Sequence, residues 1–288
     1  MPKAMTVRQR FAALLGEKTP IVIPGAYDAL SARLVEASGY SAAYVGSYGT
    51  AAAGYGFPDV GALTMNELAD HACRVAEAVS IPVLADAEAG FFEAPNMWRT
   101  VRAFERAGVC GIHLEDNAGG KHSDAPRGLL PLDTVVNRIR AALDARGDPN
   151  FQIIARTDAI WVHDDVDEAL LRMRAFVEAG ADIVFPTAIA PKTLETIRDQ
   201  IPCRVLVLGD LPPSSVAEME DAGADIVIYY AFCVLAAARG LTRALDEMGR
   251  TLDVRLVEEL LEDGETFESR MGYGDFSERA RKYGVAQP

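Results

Sequence analysis

The stretch AGADIVFP, residues 179–186, recurs as AGADIVIYY at 222–230, and the looser forms SGYSAAYVG at 38–46 and AGVCGIHLE at 107–115 share its plan. In each, a small residue and a glycine are followed within a few positions by an apolar run too short to be a helix. The glycine suits the left-handed position that closes a helix, and the run suits a buried strand, so each stretch reads as a helix handing over directly to a strand. Gly39, Gly108 and Gly180 stand roughly 70 residues apart, which makes the repeating unit roughly 35 residues, the length of one strand, one helix and their turns.

Filling the intervals with short apolar runs gives eight strands: Ile21–Ile23, Ala43–Val45, Val83–Ala85, Gly111–Leu114, Ile153–Ala155, Ile183–Phe185, Val205–Leu208 and Ile226–Ile228. Between them lie patterns such as TMNELADHACRVAEAV and DEALLRMRAFVEA, with apolar residues three and four apart, the spacing of an amphipathic helix. Eight such units in roughly 250 residues predict a (β/α)8 TIM barrel. A doubly wound open sheet is the competitor, disfavoured because no glycine-rich nucleotide fingerprint follows the first strand. The expected division is a barrel over 1–250 and a C-terminal helical extension over 251–288, packing on the barrel or a neighbouring subunit.

Half of the 288 residues are hydrophobic, enough for a sizeable core. A formal net charge of −14, with no basic cluster, argues against nucleic acid or an anionic membrane as partner. No apolar run reaches the roughly 18 residues of a membrane helix, and the N-terminal stretch is too polar for a secretory signal, so the expectation is a cytoplasmic protein acting on a small molecule. Cys73, Cys110, Cys203 and Cys233 are scattered without metal-site spacing and read as free thiols.

A barrel gathers the residues that follow its strands at one mouth. Those positions hold Tyr44, Gly46 and Ser47 after strand 2, Asp86 and Glu88 after strand 3, Glu115 and Asp116 after strand 4, Arg156, Thr157 and Asp158 after strand 5, and Thr187 after strand 6. Asp59, in YGFPDVGALT, can reach the same rim. Strand alternation puts Asp86 and Glu88 on one side, with Glu115 beside them. Carboxylates converging in a partly dry mouth repel unless a counter-ion sits among them, and oxygen donors without His or Cys favour Mg2+, with Mn2+ as the variant. Arg156 has the planar fork that grips a substrate carboxylate, or alternatively pairs with Asp158 or Glu115. The segment EDNAGGKHSDAPRGLLPLD, 115–133, is too long for a minimal turn and reads as a lid whose Lys121, His122 and Ser123 can carry protons. His71 and His163 read as structural.

In order, PGAYDALSARLVEASGYSAAYVGSYG, GFPDVGALTMNEL, VLADAEAGF, GIHLED, IIARTDA and GADIVFP resemble the isocitrate lyase and phosphoenolpyruvate mutase superfamily over roughly residues 8 to 250. The resemblance implies a TIM barrel, a homotetramer of dimers that swap the last barrel helix, and Mg2+ at the 2-oxo or 2-hydroxy carboxylate end of the substrate. It implies that Asp86 is the principal metal ligand, that Asp59, Glu88 and Glu115 hold metal-bound waters, that Arg156 grips the substrate, and that Tyr44, Gly46 and Ser47 receive its carboxylate.

Departures from the family pattern narrow the chemistry. Ser123, in KHSDA, stands where the carbon–carbon lyases place a lid cysteine; Glu88 replaces the usual aspartate; Thr187 stands where the lyases place a glutamate; and Tyr48 enters the turn after strand 2. The expectation is Mg2+-dependent C–C cleavage, by a lyase or decarboxylase, of a small acid of oxaloacetate or substituted-malate type through an enolate. The alternatives are C–P chemistry on phosphonopyruvate and a catalytically silent barrel that binds a dicarboxylate.

Overall fold

The computed structural model describes residues 5–17 and 19–284, so the first four residues of the N-terminal stretch read above lie outside it. All eight expected strands form: β1 (Ile21–Pro24), β2 (Ala43–Val45), β3 (Val83–Asp86), β4 (Gly111–Glu115), β5 (Gln152–Thr157), β6 (Ile183–Pro186), β7 (Arg204–Leu208) and β8 (Ile226–Tyr229). Every pairing is parallel, and β8 lies between β7 and β1, with Ile21 opposite Ile226. Between β1 and β2 the ring is completed only by a bridge of Gly25 with Tyr44, where the Ala26 N–H donates to the Tyr44 carbonyl at 2.7 Å. The result is a nearly closed (β/α)8 barrel.

Local chemistry sets the helix ends. Thr64 and Ser215 each form a reciprocal capping box, with Glu67 and Glu218 respectively, which satisfies amide donors that a first helical turn leaves open. The four glycines that define the repeat all take positive φ, between 83° for Gly108 and 101° for Gly180, the conformation required to leave a helix and enter the next strand. The two helical patterns become Met65–Glu77 and Val166–Ala179.

Strand alternation divides the core into two layers. Outward residues such as Val83, Ile112, Ile153 and Val205 pack with helix residues including Phe104, Ile139 and Phe176. Phe104 and Phe176 are fully buried, each contributing about 1.5–3 kcal/mol. Inward residues, among them Ile23, Leu84, Ile154, Leu206 and Ile228, form a second cluster with Phe11 from the helix Val7–Leu14. That helix lies at the strand-entry end: Arg8 Nε donates to the Val109 carbonyl just before β4, at 3.0 Å, and Arg204 at the start of β7 donates to the Leu15 carbonyl. The opposite, C-terminal mouth is left for chemistry.

The contacts of the chain divide it into two compact units, 1–233 and 234–288. The division falls near the start of the helix Phe232–Thr251, whereas the expected domain boundary at 250 falls at its end. The second unit continues with Gly264–Met271 and Tyr273–Tyr283. Among the described residues no helix is long and apolar enough to cross a membrane. The four cysteines are free, and burial pushes the Cys110 thiol up to about 11.

Candidate active site

Toward the C-terminal mouth the inward face of four adjacent strands changes from apolar to polar. Tyr44 on β2, Asp86 on β3, His113 and Glu115 on β4, and Arg156 on β5 succeed the apolar layer, with Asp86 opposite His113 and Glu115 opposite Arg156 in the strand register. Ligand atoms of Asp86, His113 and Glu115 lie within 4.8 Å of one another, all three side chains buried. Tyr44 and His113 Nε2 share a hydrogen bond of 2.8 Å, and that nitrogen lies 3.6 Å from Asp86 Oδ1. Ser47 holds the other carboxylate oxygen of Asp86, through its hydroxyl at 2.9 Å and its amide at 3.2 Å.

Glu88 reaches the cluster by a different route from the expected alternation. β3 stops at Asp86, and Glu88 takes a positive φ of 49° while its amide donates to Asp86 Oδ1 at 2.7 Å. Left-handed backbone at a non-glycine residue is strained, and here the Asp86 acceptor and the bond from the Glu115 amide to the Glu88 carbonyl (2.9 Å) hold it. The turn swings the Glu88 carboxylate toward the lid.

From the lid, Lys121 inserts its ammonium 2.5 Å from Glu88 Oε2 and 2.6 Å from Glu115 Oε1, leaving the side chain 5% exposed. Arg156 lies 3.3 Å from the second Glu115 oxygen and forks onto Asp158, Nε at 2.7 Å and Nη2 at 3.1 Å. Asp158 is held in turn by Asn117, and Asp116 accepts from the Asp158 amide while pairing with Arg172. The chain thus carries two cations of its own among the acids: Arg156, in the pairing with Asp158 and Glu115 that the sequence offered as an alternative, and Lys121, whose insertion between Glu88 and Glu115 the sequence did not suggest.

These charges do not balance. Burial pushes the Glu115 carboxyl well above the ordinary range despite Lys121 and Arg156, and burial with Asp86 nearby pushes Glu88 up. Burial works against the Lys121 ammonium, but Glu115, Asp86 and Glu88 outweigh it and raise its pKa. Burial also opposes the Asp86 carboxylate, yet His113, Lys121 and Arg156 together hold its pKa below the usual range. Glu88 and Glu115 share one ammonium, and Glu115 Oε2, although 3.3 Å from the Arg156 guanidinium, is buried without a hydrogen bond. The donor set therefore fits a divalent cation at Asp86, Glu115 and His113. Burial pushes His113 itself down to about 4, leaving a neutral imidazole.

The remaining expected residues fall into place unevenly. Tyr44, Gly46, Ser47, Asp59, Asp86, Lys121, His122, Arg156 and Thr187 line one cavity, and Glu88 and Glu115 line an adjoining one of about 180 Å³ on the other side of Lys121. Gly46 passes so close to Tyr44 that a Cβ would sit 2.8 Å from its ring. His122 lies 3.6 Å from Asp59, and burial lowers its pKa. Ser123 lines neither cavity: it is exposed, donates to the Gly120 carbonyl at 3.3 Å and accepts from the Ala125 amide at 3.2 Å, a turn internal to the lid. The lid is pinned at its neck by the Ala118 amide to Gly128 and the Leu130 amide to Asp116.

The model of the family described as phosphoenolpyruvate phosphomutase matches residues 11–249. The chain belongs to that family. Within the family it is 38% identical over 244 residues to the 2,3-dimethylmalate lyase of Eubacterium barkeri, covering 82% of this chain and 84% of the relative. The crystal structure of the phosphoenolpyruvate phosphomutase from Streptomyces platensis subsp. rosaceus superposes with a TM-score of 0.89 at 30% identity, covering 96% of this chain and 99% of that one. A phosphonopyruvate hydrolase in complex with oxalate and Mg2+ superposes with a TM-score of 0.88 at 26% identity, covering 97% and 99%.

Three residues of this family member's site, His113, Trp161 and Tyr230 after β8, are not among those that the sequence singled out. His113 stands two positions before Glu115 on β4, so the alternation that finds one finds the other. Trp161, in the short helix Ala159–His163 after β5, lines the cavity 5.2 Å from the His122 ring. Its surroundings in IIARTDAIW resemble an ordinary amphipathic start, and nothing in the spacing marks it.

Proposed function

We propose that the protein is a carbon–carbon lyase that cleaves a small 2-oxo or 2-hydroxy acid of oxaloacetate or substituted-malate type. The observation that carries this reading is the convergence of Asp86, His113 and Glu115 on one buried point beside Arg156, under a lid that delivers Lys121. Its support from kinship is the 2,3-dimethylmalate lyase at 38% identity.

Asp86 and Glu115 would hold a divalent cation, with Glu88 and Asp59 on its outer side; the mainly oxygen donor set favours Mg2+, with Mn2+ able to replace it. Bound there, the ion supplies positive charge against the enolate that develops as the bond breaks. The chain does the rest. Arg156, locked in orientation by Asp158, presents a fixed guanidinium edge to the substrate carboxylate, and Ser47 fixes the Asp86 carboxylate. Lys121, kept protonated by its acids, is placed to return a proton to the enolate carbon, a role that Ser123, turned into the lid, is not placed to play. Tyr44 hydrogen-bonds Nε2 of the neutral His113 and so fixes its ring beside Asp86, at the third corner of the donor set.

The assembly in this reading is a homotetramer of helix-swapped dimers, in a cytoplasmic protein. What supports the swap is the helix Phe232–Thr251, none of whose residues is buried, with Phe232, Leu235, Leu241 and Leu245 exposed along it.

The second reading, C–P chemistry, draws on the phosphomutase superposition. Phosphorus NMR on phosphonopyruvate and proton NMR on oxaloacetate and substituted malates, each with Mg2+, separate the two. New 2-oxo acid signals from the malates without phosphate release support the lyase; phosphate or a new C–P signal, with the malates inert, overturns it.

A further inference from the structure

On the side away from Glu88 and Glu115, the cavity is walled by rings from four separate segments that follow strands. Tyr230 after β8 meets Tyr48 after β2 edge-on at 5.5 Å, Tyr48 meets His122 of the lid at 5.4 Å, and His122 meets Trp161 at 5.2 Å. Leu208 and Leu211 continue the same wall. The cavity as a whole leaves only about 30 Å³ free, so an organic acid fits only if the His122 ring on the lid gives way.

The charges at this end exclude a further carboxylate. Arg156, held by Asp158 and Glu115, has its remaining edge committed in the reading above to the substrate's own carboxylate, and Lys121 is engaged by Glu88 and Glu115. Among the described residues no other Lys or Arg lines the cavity, since Arg127 covers Trp161 from the lid at 5.2 Å without lining it. A carboxylate placed here would lose its hydration with no free cation lining the wall to replace it. Among the described residues that line the cavity at this end, Thr187 has a buried hydroxyl without a hydrogen-bond partner, which suits one neutral oxygen.

We propose that Trp161, Tyr48 and Tyr230 form an apolar subsite, and that the acid cleaved carries a branched alkyl or aryl substituent there rather than a further carboxylate. This rests on the reading of the site given above and names the substrate class within it. Stacking and burial select for size and apolarity, each well-placed methylene being worth about tenfold or more. Trp161 is the specificity-determining residue, because it supplies the widest ring and sits on a helix held by β5 rather than on the lid.

The test is calorimetric titration of the Mg2+-loaded full chain with pyruvate, 2-oxoglutarate, 4-methyl-2-oxopentanoate and phenylpyruvate. The last two are expected to bind about tenfold or more tighter than 2-oxoglutarate. Trp161→Ala should collapse that ratio toward unity, and Trp161→Phe should restore most of it. A 2-oxoglutarate affinity equal to or above that of the apolar acids in the unaltered protein overturns the subsite, and that comparison needs no variant to fold. So does a ratio that survives in Trp161→Ala, since a penalty from the overall negative charge would survive there too. If pyruvate and the others all fail to bind with Mg2+ present, the reading of the site as a 2-oxo acid site falls, and the subsite with it.

Discussion

Lys121, on the lid, places its ammonium 2.6 Å from Glu115 Oε1 at the end of β4, so the lid is fastened to the barrel through the acids that are placed to hold a metal. Closure of the lid and assembly of the site are therefore one event. Replacing Lys121 with Met keeps the length of the side chain and removes the charge, leaving Glu88 and Glu115 to repel. Steady-state kinetics on Lys121→Met should show kcat reduced by about 10²-fold or more, the scale of losing a positioned acid or charge. A kcat near that of the unaltered enzyme would remove Lys121 from the chemistry.

Arg156 depends on the shape of its guanidinium as well as its charge. A lysine there retains one positive charge but cannot span both oxygens of Asp158 while facing Glu115. Arg156→Lys is expected to fold and to lose about 10²-fold in kcat/KM, mostly through KM if the residue grips the substrate in both ground and transition states. Unchanged kinetics would reduce the fork to a structural ion pair.

His113 gives the folded chain a pH signature. Its pKa falls to about 4 in the folded protein, from an ordinary value of 6.5, because burial outweighs the neighbouring Asp86. Between those values the unfolded chain binds a proton that the folded chain refuses, so stability falls as the pH drops through that window. Glu115 and Glu88, shifted upward, act in the opposite sense, so the informative comparison is with His113→Gln. In chelator, the stability gap between the unaltered protein and the variant should shrink on the order of 3 kcal/mol at most on acidification, measured by denaturant unfolding at each pH. A gap independent of pH would mean that the imidazole titrates normally.

Gly120 tests the lid without touching the acids. Its φ is 77°, and a Cβ would lie 2.7 Å from the Pro126 carbonyl oxygen. Gly120→Ala should therefore spring the turn that aims Lys121, lowering kcat about tenfold or more while shifting the melting temperature little, since loop tips contribute little to global stability. Full activity would show that lid geometry is not limiting.

Much of this architecture was legible in the chain. The eight strands could be read because each buried run of Val, Ile and Ala follows a glycine or lies between helical patterns, and a parallel barrel strand is apolar on both faces for most of its length. Asp86, Glu115 and Arg156 stood out because acids and bases interrupt such runs only at their ends. Glu88 was expected on the strand face and instead arrives through a left-handed turn, because one of the two hydrogen bonds that compensate its strain, from the Glu115 amide, comes from β4, distant in sequence. The lid was legible as a lid from its length and polarity. Which of Lys121, His122 and Ser123 points inward depends on a turn whose geometry follows from Gly119, Gly120 and contacts with the barrel. His113 was overlooked because a histidine inside an apolar strand looks like core until Tyr44 and Asp86 are seen to share its nitrogen.

The most direct test of the central claim is proton NMR of the protein with oxaloacetate and a set of substituted malates, followed through chelation and metal return. The account predicts 2-oxo acid product signals that grow with Mg2+, stop on addition of EDTA and resume when Mg2+ is restored in excess. Product formation that continues at the same rate in EDTA, or no product from any of these acids with Mg2+ present, would contradict it.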